Sequence, residues 1–415
     1  MKSTFKWTPI FCLIFFFFAC NDSNNSSNND LSATDTTASK GTYAFDKAFL
    51  QQHESNLIEL SSDDGTVKVL LSPQWQGRVM TSTSGGNTGL SYGWLNYDLL
   101  SAKEKKSQFN AVGGEERFWL GPEGGQYSIY FKKGDSFNIA HWQVPAIIDT
   151  IAYEISSANK STAIFTANAK LTNYSGTNFD LTINREIALL AKFELAKRLG
   201  IGITDSINAV AYETNNSITN TGSNDWTKQN GLLSIWLLGM FTPTPETFVI
   251  IPFKPLPNVR SLITDNYFGA MPAERLEVKD SVLFFTCDGK HRSKIGLSPL
   301  IAKSLAASYD FANNVLTIVL PEVHPDKPYV NSKWEIQQQP YKGDMINAYN
   351  DGPLEDGSQL GPFYEIESSS PALELKKGAT GSYRQVTGHL QASYPVMKQF
   401  VQQLLAVNLD ELKSK

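Results

Sequence analysis

The chain has 415 residues, 19% charged and 12% aromatic, with a formal net charge of −5. This mild acidity and the scattered lysines exclude a basic nucleic-acid-binding surface, and the Lys103–Lys106 cluster reads as a solvated loop. Three cysteines, at positions 12, 20 and 287, are too few for a disulfide framework or a cysteine zinc site once the first two are placed in the leader.

The N-terminus reads as a targeting segment. Lys2 and Lys6 form a positive region, and Pro9 to Phe18 is an apolar run too short for a stable membrane span. It ends in Phe17-Phe18-Ala19-Cys20, which resembles a bacterial lipoprotein processing site. The expectation is a signal peptide over 1–19 and lipid on Cys20. A flexible polar tether over 20–41 follows, because that stretch of Asn, Ser, Asp and Thr cannot bury enough surface to fold. The protein is then held at a membrane by its lipid alone, outside the cytoplasm, on the periplasmic or outer-membrane face. Residues 42–415 contain no polar low-complexity linker and read as a single domain. Cys287 is its one cysteine and is expected to be a buried small residue.

In chain order, the domain opens with a short helix, since Phe45, Ala48 and Phe49 share one face of the Phe45–Gln52 segment. Strands are expected at 67–71, 127–131, 163–167, 181–187, 248–251, 281–285 and 315–320, each β-rich and bounded by polar turns. Strand after strand without intervening helices implies a mainly antiparallel β fold. A helix ends the chain, with Val396, Phe400, Val401, Leu404, Leu405 and Leu409 on one side, and is expected to cover the outside of a sheet.

The segment Gly361-Pro362-Phe363-Tyr364-Glu365-Ile366-Glu367-Ser368 breaks the pattern. Alternation along a strand puts Glu365 and Glu367 on the same face. Two acids there suit a pocket wall better than a core. A ligand site predicts that Arg117 and one glutamate converge on a concave face. Burial of both glutamates in ion pairs, or their pointing away from any cleft, would overturn that ligand-site reading.

Four places in order resemble the galactose mutarotase-like superfamily, the aldose 1-epimerases and their relatives. They are Gln76-Gly77-Arg78-Val79, the run from Gly113 through Arg117-Phe118-Trp119 to Glu123, Asn216 to Gly222, and Tyr364 to Gly378. Within it the chain is most similar to exported Bacteroidota lipoproteins without an assigned function. The resemblance implies a large antiparallel β-supersandwich with a sugar-binding concave face. In such enzymes a glutamate takes the anomeric proton while a histidine protonates the ring oxygen. It implies Glu365 or Glu367 as base and Arg117 as a sugar-hydroxyl or carboxylate donor. Where the histidine is expected, this chain has Trp236, whose flat ring can stack on a sugar instead.

His141, beside Trp142, and His324, in a proline-rich loop, are the alternative acids. Arg78, Trp119, Glu123, Trp142, Trp334 and Asp351 complete the candidate binding residues, although Asn350-Asp351-Gly352-Pro353 is equally an ordinary turn. No histidine pair has the spacing of a metal site, and no cofactor is implied. The expected function is carbohydrate binding in such a cleft, with or without acid–base chemistry. The alternatives are an aldose 1-epimerase-like isomerase and a non-catalytic binding or structural lipoprotein. A glycoside hydrolase, which would need Glu123 opposite the glutamate pair, ranks lower.

Overall fold

A computed structural model of the chain describes residues 38–413. The expected signal peptide, Cys20 and nearly all of the 20–41 tether lie outside the described residues.

Two large antiparallel sheets dominate. The larger has ten strands, in the spatial order 276–279, 282–286, 247–252, 306–310, 315–321, 380–391, 208–220, 178–189, 162–172 and 154–158. The smaller has six, in the order 263–264, 293–297, 346–350, 364–369, 234–241 and 117–121. Five of these six are named by what they carry: the lysine strand Ser293–Leu297, the asparagine strand Ile346–Asn350, the glutamate strand Tyr364–Ser369, the tryptophan strand Ser234–Phe241 and the arginine strand Arg117–Gly121. A three-stranded sheet of residues 58–61, 68–72 and 78–83 stands apart.

Strand alternation explains the sandwich. Ile295, Leu297, Ile346, Ala348 and Ile366 of the smaller sheet pack with Val249, Ile251, Leu283, Phe285 and Val319 of the larger. Further along, Phe118, Leu120, Ile235 and Leu237 join Phe165, Ile183 and Ile218 in a second cluster. Each such side chain stabilises the fold by roughly 1.5–3 kcal/mol through removal from water. The alternate residues of the smaller sheet point the other way and are left free to line a cleft.

Charge is also buried where the early strands meet the larger sheet. Arg185 bonds the fully buried Glu116 at 2.9 Å, and His389 contacts Glu115 at 3.0 Å. The Arg185 guanidinium also donates to Gly77 O and Asn216, so the pair is embedded in hydrogen bonds rather than isolated.

The helices at both ends fall where periodicity puts them. Tyr43–His53 starts at Thr42, whose hydroxyl accepts the Phe45 N–H, and buries Tyr43 and Leu50. Tyr394–Leu405 lays Met397, Phe400 and Val401 on Leu316, Ile318 and Leu390 of the larger sheet, and Leu409–Lys413 follows. Helices at Tyr97–Ser101 and Lys192–Leu199 were not expected. They are short, with one buried residue each, too little for a periodic signal.

One expected strand is a loop. Residues 127–131 follow Gly124 and Gly125, and Ile129, Tyr130 and Phe131 are buried in succession instead of alternating. Ser128 Oγ accepts the Tyr130 N–H, and the Tyr130 hydroxyl donates to Leu120 O. These β-rich residues form a wedge beneath the cleft, not a sheet edge. Cys287 is fully buried, as its surroundings suggest.

Candidate functional site

The outer face of the six-stranded sheet floors a cleft of about 740 Å³. Successive alternate residues supply the floor: Arg117 and Trp119, Trp236 and Leu238, Glu365, Asn347 and Tyr349, and Lys294. Phe109, Glu123 and Trp142 form one wall, and Tyr267, Phe268 and Trp334 contribute to the rest.

Two ion pairs organise the floor. Arg117 Nη2 donates to Glu365 Oε1 at 2.7 Å, and its guanidinium lies 4.2 Å from the Trp119 ring centre. Lys294 Nζ donates to Glu367 Oε2 at 2.9 Å, and the Trp236 indole N–H donates to the same oxygen at 3.0 Å. Four indoles run through the cleft: Trp236 meets Trp119 edge-on, Trp119 meets Trp142, and Trp142 stacks on Trp334.

Burial governs the titration of these groups. It pushes Glu365 up to about 7, more than Arg117 can offset. Glu123 is raised for the same reason, with Lys294 acting against the rise. Burial alone would lower Lys294, but Glu367, Glu123 and Glu365 together outweigh it and raise the ammonium. Asp351 is raised by burial while accepting the Tyr349 hydroxyl at 2.5 Å and the Gly361 N–H at 3.0 Å.

Eight of the expected residues line this cleft: Arg117, Trp119, Glu123, Trp142, Trp236, Trp334, Asp351 and Glu365. Glu367 shares the face of Glu365 but has no exposed surface and lies beneath Lys294 and Trp236. Both glutamates are therefore held in buried ion pairs, the outcome that counts against a ligand site built on these two acids. Glu367 is a structural acid under the floor, whereas Glu365 reaches the cleft wall.

Besides Glu367, three expected residues do not line it. Arg78 is buried and braces the turn at Gly113, donating to Gly113 O at 2.8 Å and to Gln76 at 3.3 Å. Glycine-rich sequence beside it marks this packing, not a ligand contact. His141 is exposed in a turn, its Nδ1 3.0 Å from Ser136 Oγ. His324 is exposed in its loop, where its own N–H donates to the Tyr329 hydroxyl. His141 lies in an exposed turn before Trp142, and His324 lies in the loop just past the end of the strand Val315–Pro321.

Sequence reasoning missed Lys294 and Arg292. The signal was the one that found the glutamates: two like charges two residues apart at the start of a strand. Reading Gly289 to Arg292 as a hairpin turn hid it. Tyr267, Asp344 and Asn347 were missed as well; Tyr267 donates to Asp344 at 2.5 Å across the cleft end.

A family described as of unknown function, DUF6786, matches residues 41–415. No curated protein matches the sequence. Among solved structures, the chain is similar to a galactose mutarotase-like protein from Lactobacillus casei ATCC 334, at 12% identity, covering 80% of this chain and 100% of that one, with a TM-score of 0.44. It is similar to the Slr1438 protein from Synechocystis sp. PCC 6803 at 11% identity, covering 81% and 96%, with a TM-score of 0.48. A galactose mutarotase related enzyme from Lactobacillus acidophilus aligns at 11% identity over 81% and 99%, with a TM-score of 0.45.

Proposed function

This chain belongs to the DUF6786 family, and from the geometry of its cleft we propose that it binds carbohydrate there. The buried ion pairs count against a site presented by the two glutamates, and the observation that carries the reading is instead the run of four indoles, Trp119, Trp142, Trp236 and Trp334, lining one open cleft with Arg117 and Glu365 at its floor. A pyranose has an apolar C–H face and a rim of hydroxyls. Indoles match the first, and a charged donor next to a charged acceptor matches the second. The resemblance in motif order described above supports the same ligand class.

Binding, not turnover, is the primary reading. Glu367 has no cleft surface, and neither His141 nor His324 reaches the cleft. An aldose 1-epimerase-like reaction is the second reading, favoured by Glu365, which lines the cleft and whose carboxyl is pushed by burial up to about 7, where a general base works best. Its acid would then be Glu123, whose carboxyl is also raised by burial. Lipid anchoring through Cys20, outside the cytoplasm, belongs to the same proposal. Loss of membrane association in a Cys20→Ser variant tests that part.

Calorimetry against a panel of neutral and acidic mono- and oligosaccharides tests the ligand, and NMR of anomer exchange tests the reaction. Saccharide binding that Arg117→Ala removes is the expected result. Failure of every saccharide in the panel to bind overturns the carbohydrate reading. Anomer exchange no faster than in buffer overturns the epimerase reading alone.

A further inference from the structure

Of the carboxylates at the cleft, Glu123 lies on the wall near Trp142 and Trp334, and the others already have donors. Glu365 takes Arg117, Glu367 takes Lys294 and Trp236, Asp344 takes the Tyr267 hydroxyl and Asp351 takes the Tyr349 hydroxyl. The cations are not used up in the same way. Arg292 lines the cleft, half-buried, and forms no ion pair among the described residues. Its Nε donates to the Tyr349 hydroxyl at 3.3 Å, and its guanidinium lies 4.1 Å from the Phe268 ring centre. The side chain is thereby oriented, while Nη1 and Nη2 have no protein acceptor among the described residues.

The buried polar atoms show the same imbalance. Arg117 Nε and Nη1 and the Trp119 and Trp142 indole N–H groups, all on cleft residues at least nine-tenths buried, have no acceptor. Against these four donors, Glu367 Oε1 is the unpartnered acceptor of the floor. Lys106 and Lys333 also line the cleft, together with the exposed Glu335. A sugar hydroxyl, with one donor and two acceptor lone pairs, can accept from such N–H groups but brings no charge and leaves the Arg292 cation uncompensated. A carboxylate or sulfate brings acceptors alone, and a guanidinium fork held flat on an aromatic ring fits its planar oxygens.

Resting on the carbohydrate reading, we propose that the cleft selects an acidic saccharide, its ring against the indoles and its anionic group on Arg292. The acid is a uronate carboxylate or a sulfate ester; both present the same chemistry to the guanidinium.

The test is calorimetry at low salt with matched pairs: D-galacturonate against D-galactose, D-glucuronate against D-glucose, and a galactose sulfate as the other acid source. The acidic member is expected to bind about tenfold tighter or more, with the margin shrinking as salt rises. Arg292→Gln should erase the margin, while Arg292→Lys retains part of it. Thermal melts of both variants establish that they are folded. Equal affinity for acidic and neutral members, or equal weakening of both by Arg292→Gln, overturns the proposal and leaves carbohydrate binding standing. Binding by neither member of any pair overturns both together. A preference confined to the uronates, or to the sulfate, supports the proposal and identifies the source of the anion.

Discussion

Arg117 and Glu365 are bonded diagonally across the sheet. In register, Arg117 lies in the row of Leu238 and Glu367, and Lys294 lies in the row of Tyr349 and Glu365. Each cation nevertheless takes the other row's glutamate. The two pairs cross, each spans one intervening strand, and together they tie the lysine and arginine strands to the glutamate strand between them.

That crossing makes Lys294 a structural test. Lys294→Met removes the counter-charge from a fully buried carboxylate and should cost about 3–5 kcal/mol, read as a lowered Tm and denaturation midpoint. Glu367→Leu combined with Lys294→Met should recover most of the loss, because no charge is then stranded. A double variant no more stable than the single one would show that the pair stabilises in its own right.

Glu365 sets a pH dependence. Its folded value of about 7 lies above the ordinary glutamate value of 4.5, so the folded state binds the proton more tightly than the unfolded state does. Its contribution to stability is fully present below about pH 4.5 and is lost as pH rises through 7. Glu365→Gln should flatten this part of the stability profile, by roughly 1–3 kcal/mol across the window. Protonation also frees Arg117 from its carboxylate, so affinity for an acidic saccharide should rise as pH falls from 8 to 6. Calorimetry at four pH values checks both the sign and the midpoint.

Trp334 is part-exposed at the cleft and stacks on Trp142 at 5.9 Å. Trp334→Ala should weaken saccharide binding about tenfold, in line with roughly 1–2 kcal/mol for a lost aromatic platform, with a Tm change of only a few degrees. Trp334→Phe should restore most of the affinity. Calorimetry on the two variants separates a stacking platform from a merely structural indole.

Gly114 has a φ of +105°, and a Cβ there would meet Arg78 Cδ at 2.7 Å and Val79 O at 2.8 Å. Gly114→Ala should therefore destabilise by more than about 2 kcal/mol, through backbone strain and displacement of Arg78 together. The same change at Gly176, also at positive φ but in open space, should cost only about 1 kcal/mol. Denaturation curves of the two variants give the comparison directly.

Much of the fold was readable because its determinants are local. Alternation over Leu181–Ile187 has one meaning for a strand with one buried face, the apolar run Val315–Leu320 marks a strand buried on both faces, and the apolar stripe from Val396 to Leu405 has one meaning for a helix. Residues 127–131 misled because β-rich residues also serve as buried wedges, and only neighbours distinguish the two uses. The cleft was readable in part. Glu365, Arg117 and four of the tryptophans stood out by type and by motif order, whereas Arg292 and Lys294 were masked by the turn before them.

The sequence by itself determined which residues share a face. The period of a strand places Glu365 with Glu367 and Arg117 with Trp119 whatever the fold around them. It could not determine depth or partners. Only the tertiary structure decided that Glu365 reaches the cleft while Glu367, two residues on, is sealed under Lys294 and Trp236. The same is true of which cation each glutamate takes, and of Arg292 being left without a carboxylate. Those outcomes depend on strands brought together from positions 117, 236, 294 and 365 of the chain. A side chain's solvation and charge neighbours are set by that assembly, not by the residues beside it in sequence.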